Sequence, residues 1–278
     1  MFDSFKSSWA VLKSQPSLLV FPVASGIALL GVTGVLAAPI AVGVLAGDGL
    51  DFSDKTMKVL GYLALFGWYL VCTFVIIFFN AALTGCVLQS FAGQQPSIGS
   101  GFGAARRRLP QILGWALVAA TVGVGLRALQ SLLGDKLGVI GQLVGGVAVG
   151  TWGVATYFVV PVVVTEGVGP VTAVKRSSAI LRRTWGESLR GTVGLGATGF
   201  LFLLPPLLAV FAVLMTGVGG RAGLVALGSV GVLYALAVTV VFAALGAIFR
   251  AGVYIYASNG NPPNNMDRAV LQSVFRNR

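Results

Sequence analysis

The chain has no histidine and only two cysteines, Cys72 and Cys86, among its 278 residues. Aspartate and glutamate together number eight, and charged residues of both signs make up 10% of the chain. Each shortage argues against a class of function. Histidine is the side chain that titrates near neutrality, so without it acid–base work falls to a few scattered carboxylates. Fourteen positions separate the two cysteines, about 21 Å along one helix at 1.5 Å per residue, too far for a disulfide. Both read as small packing residues. No P-loop, no dinucleotide fingerprint after a strand, no HExxH and no nucleophile elbow is present. The chain therefore reads as no enzyme, with no catalytic residue, no cofactor and no metal.

What is abundant is apolar. The sequence is 56% hydrophobic with a mean hydropathy of +0.90, whereas a soluble domain carries about a quarter charged residues. Six segments are long and apolar enough for a hydrocarbon core that needs about 20 residues: near Leu18–Leu45, Val59–Cys86, Ile112–Leu133, Leu137–Val164, Thr192–Val218 and Leu224–Ala251. The apolar run of the first is too long for a signal peptide, so it reads as an uncleaved span. The net charge of +11 raises nucleic acid as a partner. That reading needs a solvated basic face, and here the basic residues sit in short loops between apolar segments, so no nucleic acid is expected.

Their distribution fixes an orientation. With six spans, one side receives Lys6, Lys13, the Arg106–Arg107–Arg108 triplet, Lys175, Arg176, Arg182, Arg183, Arg190, Arg250, Arg268, Arg276 and Arg278. The other receives Lys55, Lys58, Lys136 and Arg221, with Asp48, Asp51, Asp54 and Asp135. Basic residues collect on cytoplasmic loops. The expectation is a multi-pass protein of the bacterial or archaeal cytoplasmic (inner) membrane with both termini cytoplasmic.

The cytoplasmic stretches share a form. Phe2, Phe5, Trp9 and Leu12 precede the first span at steps of three and four; Ile98, Phe102 and Leu109 precede the third; Val171, Val174, Leu181 and Trp185 precede the fifth. Lys175, Arg176, Arg182 and Arg183 fall opposite that last face. Basic amphipathic helices of this kind lie in the headgroup plane. The fold expected is all-α: six transmembrane helices as three parallel hairpins, each preceded by a cytoplasmic amphipathic interfacial helix. It forms one membrane domain, 1–278. Repeat 1 covers about 1–91, repeat 2 about 96–164 and repeat 3 about 170–256, with a C-terminal interfacial helix at about 263–278.

On "SFKSSWAVLK", "VVVTEGVGPVTAVKRSSAILRRTWG" and "YIYASNGNPPNNMDRAVLQSVF" the whole chain resembles a bacterial and archaeal six-helix membrane family of unknown function. It is more distantly similar to the membrane domain fused to some glycerophosphodiester phosphodiesterases. The resemblance implies a polytopic fold and supplies no catalytic residue.

Individual residues then carry expectations. Arg106, Arg107, Arg108, Lys175, Arg176, Arg182 and Arg183 are candidates to bind anionic lipid headgroups or a partner. Asn80 and Arg127 are candidate polar groups inside spans, Arg127 either snorkelling to outer headgroups or contacting an anion. Glu166 and Arg250 sit at cytoplasmic span ends, independent or paired. Gly141/Gly145 and Gly146/Gly150 are spaced four apart, which lets helix backbones approach within the bundle or in a homo-oligomer. Pro161 and the Pro205–Pro206 pair interrupt backbone hydrogen bonding. The function expected is a scaffold or accessory subunit held to the bilayer and to anionic lipid, with a membrane partner protein or a second copy. The alternative is a channel or transporter with a central cavity.

Overall fold

The computed structural model describes residues 3–45, 55–216 and 220–259, and over these it is all-α with no strand. Helix α1 is Asp3–Ser14, and a 3₁₀ turn at Pro16–Leu19 leads into α2, Val20–Leu45. Then follow α3 (Lys55–Phe91), α4 (Ile98–Arg107), α5 (Leu109–Ala155), α6 (Val159–Glu166), α7 (Pro170–Thr216) and α8 (Gly220–Asn259). The expected C-terminal helix at 263–278, with Arg268, Arg276 and Arg278, lies outside the described residues.

Among the described residues five helical stretches are long and apolar enough to cross a membrane: Pro16–Ala38, Val59–Phe91, Leu109–Glu166, Thr192–Val213 and Val225–Ser258. The third takes in two of the six expected spans. It is 58 residues long, about 87 Å as a straight helix, against a core of about 30 Å. It is not straight. Gly138 has φ 58° and ψ −132°, a conformation that glycine adopts without Cβ strain. Beyond it the chain doubles back, with Gly141 against the Leu133 carbonyl. A Cβ added at Gly145 would lie 2.7 Å from the Gln130 Cγ. Gly141 and Gly145 therefore pack within this stretch, while Gly146 and Gly150 face open space.

The chain divides into two compact units. The first comprises Met1–Pro22, Cys86–Ile98 and Arg182–Arg278. Here α1 and the 3₁₀ turn pack on α8. The Phe5 ring stacks on Trp9 at 5.9 Å between centroids, on Phe242 at 5.9 Å and on Phe202 at 6.4 Å. Val11 and Leu12 are buried together with Ser7 and Ser8. The expected lipid-facing stripe of α1 is thus turned in part onto protein, because serine is small enough for close helix approach. Along α8, Val225, Val230 and Leu233 are exposed while Ala244 to Tyr254 are largely buried.

The second unit comprises Val23–Gly85 and Gly99–Leu181. Helix α4 lies on α3 through small residues: a Cβ at Gly85 would stand 2.7 Å from the Ala104 Cβ, and Gly101, Ala104 and Ala105 are buried. Phe102 packs on Phe78 and Phe79 at 6.1 and 5.7 Å. Its expected lipid-facing role is replaced by a protein contact.

Helix α7 differs from expectation. A separate interfacial helix and a fifth span were expected on either side of residue 191. One helix of 47 residues runs through both. Between Pro170 and Pro205 no proline intervenes, and Gly186 and Gly191 each cost only about 1 kcal/mol in a helix.

Candidate functional site

A cluster of polar contacts in the second unit is built on the end of α6. An α-helix leaves its last four carbonyls without helical partners. In α6 these belong to Val163, Val164, Thr165 and Glu166. Gly167 follows with φ 65°, a left-handed cap, and its N–H donates to the Val163 carbonyl at 3.1 Å. Arg108 meets the next two: Nε donates to the Val164 carbonyl at 3.3 Å and Nη2 to the Thr165 carbonyl at 3.4 Å. Gln111, three residues on, donates from Nε2 to the Gly167 carbonyl at 3.2 Å. A cation at the negative end of a helix dipole is favourable. The left-handed φ favours glycine at 167, and a Cβ there would displace the Arg108 guanidinium.

Local sequence explains why Arg108 is available. It stands between α4 and α5 with φ −109° and ψ 15°, outside either helix. Leu109 and Pro110 open α5, where the missing proline N–H costs nothing. Gly114 completes the approach, with its Cβ position 3.1 Å from the Pro170 ring that starts α7.

The start of α6 is tied as well. Pro161 has no N–H for the Tyr157 carbonyl and its ring crowds that carbonyl, so the helix is broken at Thr156–Phe158. The freed N–H of Phe158 donates to Ser177 Oγ at 2.9 Å, and both residues are fully buried. Ser178 Oγ donates to the Ala155 carbonyl at 3.4 Å. Neither serine, nor Gln111, was singled out from the sequence. The signal was a proline inside an apolar span, which leaves backbone groups for a distant side chain to satisfy.

The remaining candidates are placed separately. Arg106 and Arg107 are exposed in the last turn of α4, and the Arg107 guanidinium lies 3.7 Å from the Cβ position of Gly103 on its own helix. Lys175, Arg176 and Arg182 are exposed on α7; the side chain of Arg183 lies outside the described residues. Glu166 pairs with Arg176 at 3.3 Å. Arg250 is half-buried on α8, its guanidinium along its own helix beside Gly246. Asn80 donates from Nδ2 to the Ile76 carbonyl of its own helix at 2.9 Å. The Arg127 guanidinium sits 5.8 Å from the centroid of the Tyr69 ring. Neither Cys72 nor Cys86 is in a disulfide, and the Cys86 thiol donates to the Ser97 carbonyl at 3.3 Å. In the first unit an apolar groove of about 410 Å³ runs between α7 and α8, lined by Leu203, Pro206, Leu207, Val210, Gly228, Gly231, Val232 and Ala235.

Among the described residues no three of cysteine, aspartate and glutamate gather as metal ligands would. The side chains on display are donors: guanidiniums, an ammonium and a carboxamide. Their chemistry is to hold acceptors, carbonyl oxygens inside the protein and anionic oxygens outside it.

Residues 59–263 match the family described as Family of unknown function (DUF6159). The chain belongs to that family. Its long apolar helices are those of an integral membrane protein. No curated protein and no solved structure matches the chain. The likeness to the membrane domain of glycerophosphodiester phosphodiesterases gains no support from the family match.

Proposed function

We propose that this protein is a non-enzymatic scaffold or accessory subunit of the cytoplasmic membrane that engages anionic lipid headgroups through exposed basic residues. One observation carries the reading. Arg106 and Arg107 are exposed at the end of a helix whose next residue, Arg108, is fastened to the Val164 and Thr165 carbonyls. Two guanidiniums held in place by a third form an ordered cationic surface, not a loose tail. Lys175, in the same unit, adds exposed charge on α7.

In this reading Leu109–Glu166 crosses twice, turning at Gly138, so that six crossings form three hairpins with both termini on the basic, cytoplasmic side. The excess of arginine and lysine on that side supports the orientation. A second copy, or a membrane partner, meets the surface through the open Gly146/Gly150 face.

Phosphatidylglycerol retention by the detergent-purified full chain tests the function. Each basic residue near an anionic surface contributes about 1 kcal/mol, so Arg106→Gln with Arg107→Gln lowers the preference over phosphatidylcholine roughly thirtyfold. An unchanged preference overturns the reading. The competing reading, a channel or transporter, predicts solute or ion flux in liposomes carrying the wild-type chain.

A further inference from the structure

Among the described residues Arg127 has a partner in neither an ion pair nor a hydrogen bond. It is exposed on α5, flanked by exposed Val124 and Leu129. Eight residues separate it from Asp135 and eleven from the turn at Gly138, roughly 12 and 16 Å along the helix. Tyr69, whose ring it faces at 5.8 Å, is likewise eleven residues in from Lys58 along α3, roughly 16 Å. With the spans ending at Leu133 and beginning at Val59, about 9 and 15 Å away along α5 and α3, both helices set this contact on the hydrocarbon side of that boundary.

The contact leaves donors over. Cation–π stacking uses the face of the guanidinium, not its five N–H groups. Among the described residues no carboxylate or carbonyl takes those donors. The Tyr69 hydroxyl lies 3.0 Å from the Cβ position of Gly123, one turn before Arg127 on α5. Among the described residues it too makes no hydrogen bond. Gly123 lets the hydroxyl settle against the α5 backbone beside the cation, where a side chain would push it away.

Unpaired donors in hydrocarbon are costly, and the acyl chains around them offer no acceptor. Of the acceptors a leaflet offers, ester carbonyls and the phosphodiester, only the phosphodiester is anionic, and its paired oxygens match the planar fork of a guanidinium. We propose that Arg127 and Tyr69 form a phosphate-binding site that draws the headgroup of one phospholipid inward from the leaflet bounded by Gly138. The guanidinium grips two phosphate oxygens, the tyrosine hydroxyl donates to one of them, and the ring fixes the guanidinium plane. The inference rests on the chain spanning a bilayer and not on the anionic-lipid role of the cytoplasmic arginines. A zwitterionic phospholipid satisfies it.

Native mass spectrometry of the delipidated full chain, titrated with phosphatidylcholine, diacylglycerol or inorganic phosphate, provides the test. Wild type retains phosphatidylcholine and not diacylglycerol, which lacks the phosphate. Arg127→Met weakens retention about tenfold, the scale of one hydrogen bond to a charged group. Tyr69→Phe keeps the ring and the fold, removes the hydroxyl, and weakens retention severalfold. Lys13→Gln, exposed on α1, leaves it at the wild-type level. Competition by millimolar inorganic phosphate would assign the site to a soluble anion; no competition assigns it to lipid. Retention of diacylglycerol equal to phosphatidylcholine, or wild-type retention in both Arg127→Met and Tyr69→Phe, overturns the proposal.

Discussion

Replacing Arg108 by methionine removes the guanidinium and keeps much of the apolar stem, so it isolates the two bonds to α6. Those bonds, at 3.3 and 3.4 Å, are longer than the usual 2.7–2.9 Å of charge-assisted pairs. Each therefore counts below the range for bonds to charged groups, at about 1 kcal/mol, and the pair contributes about 2 kcal/mol. In a chain of this size 1 kcal/mol moves the thermal midpoint by about 2–4 °C, so Arg108→Met unfolds about 4–8 °C below wild type. Arg107→Met, at an exposed position, stays within about 0.5 kcal/mol. Lipid preference divides the other way. Neutralising Arg106 and Arg107 lowers phosphatidylglycerol retention, whereas Arg108→Met, which keeps both outer charges and loosens only their anchor, lowers it far less at temperatures where the protein remains folded. Arg108→Lys keeps a cation near the carbonyls without the fork and recovers part of the loss. The assay is survival of the monodisperse size-exclusion peak after stepped heating, alongside lipid retention on the same samples. Equal midpoints for Arg107→Met and Arg108→Met, or equal lipid losses, would refute the division of labour within the triplet.

Ser177→Ala leaves the buried Phe158 N–H without an acceptor and lowers stability by about 1–3 kcal/mol, read by the same heating series. Two glycines separate packing from helix propensity. Gly85→Ala sets a methyl 2.7 Å from the Ala104 Cβ, and overpacking of about 1–3 kcal/mol exceeds the gain in propensity. Gly150→Ala meets nothing within 4 Å and stabilises the isolated chain by about 0.5–1 kcal/mol. If that face joins two copies, the same substitution shifts cross-linked dimer toward monomer. Orientation is read by labelling with an impermeant maleimide after replacing Cys72 and Cys86. Asp135→Cys reacts on intact cells and Gln94→Cys only after permeabilisation; the reverse pattern overturns the assignment of cytoplasmic ends.

The lengths of apolar runs were legible in the sequence because a hydrocarbon span is a local property: twenty residues suffice to show it. Every described stretch long enough to cross coincides with one or two segments expected from composition. What was not legible was which face of a helix meets protein. The stripe of Phe5, Trp9 and Leu12 reads as a lipid-facing edge, yet Ser7 and Ser8 are buried beside Val11 and Leu12. In a membrane the usual contrast is weakened. Small polar residues allow close packing, and lipid-facing residues are as apolar as core ones.

The arginine triplet shows the same limit at single-residue scale. Three identical letters in a row carry no sign that one of them leaves the helix and reaches carbonyls 56 and 57 positions away. The clues were dispersed: Gly167, whose left-handed cap exposes those carbonyls; Pro110, which opens α5 just after Arg108; and Pro161, which shortens α6 to a segment that needs ties at both ends. Each has an ordinary local meaning, and only together do they call for a cation at that point. A helix of 8 residues is marginal alone. Capping by Arg108 at one end and by Ser177 at the other therefore does what length does for α3, α5 and α7. The charge that composition marks as a surface signal is divided by the fold: Arg108 holds a helix end, and Arg106 and Arg107 remain outside to meet a surface.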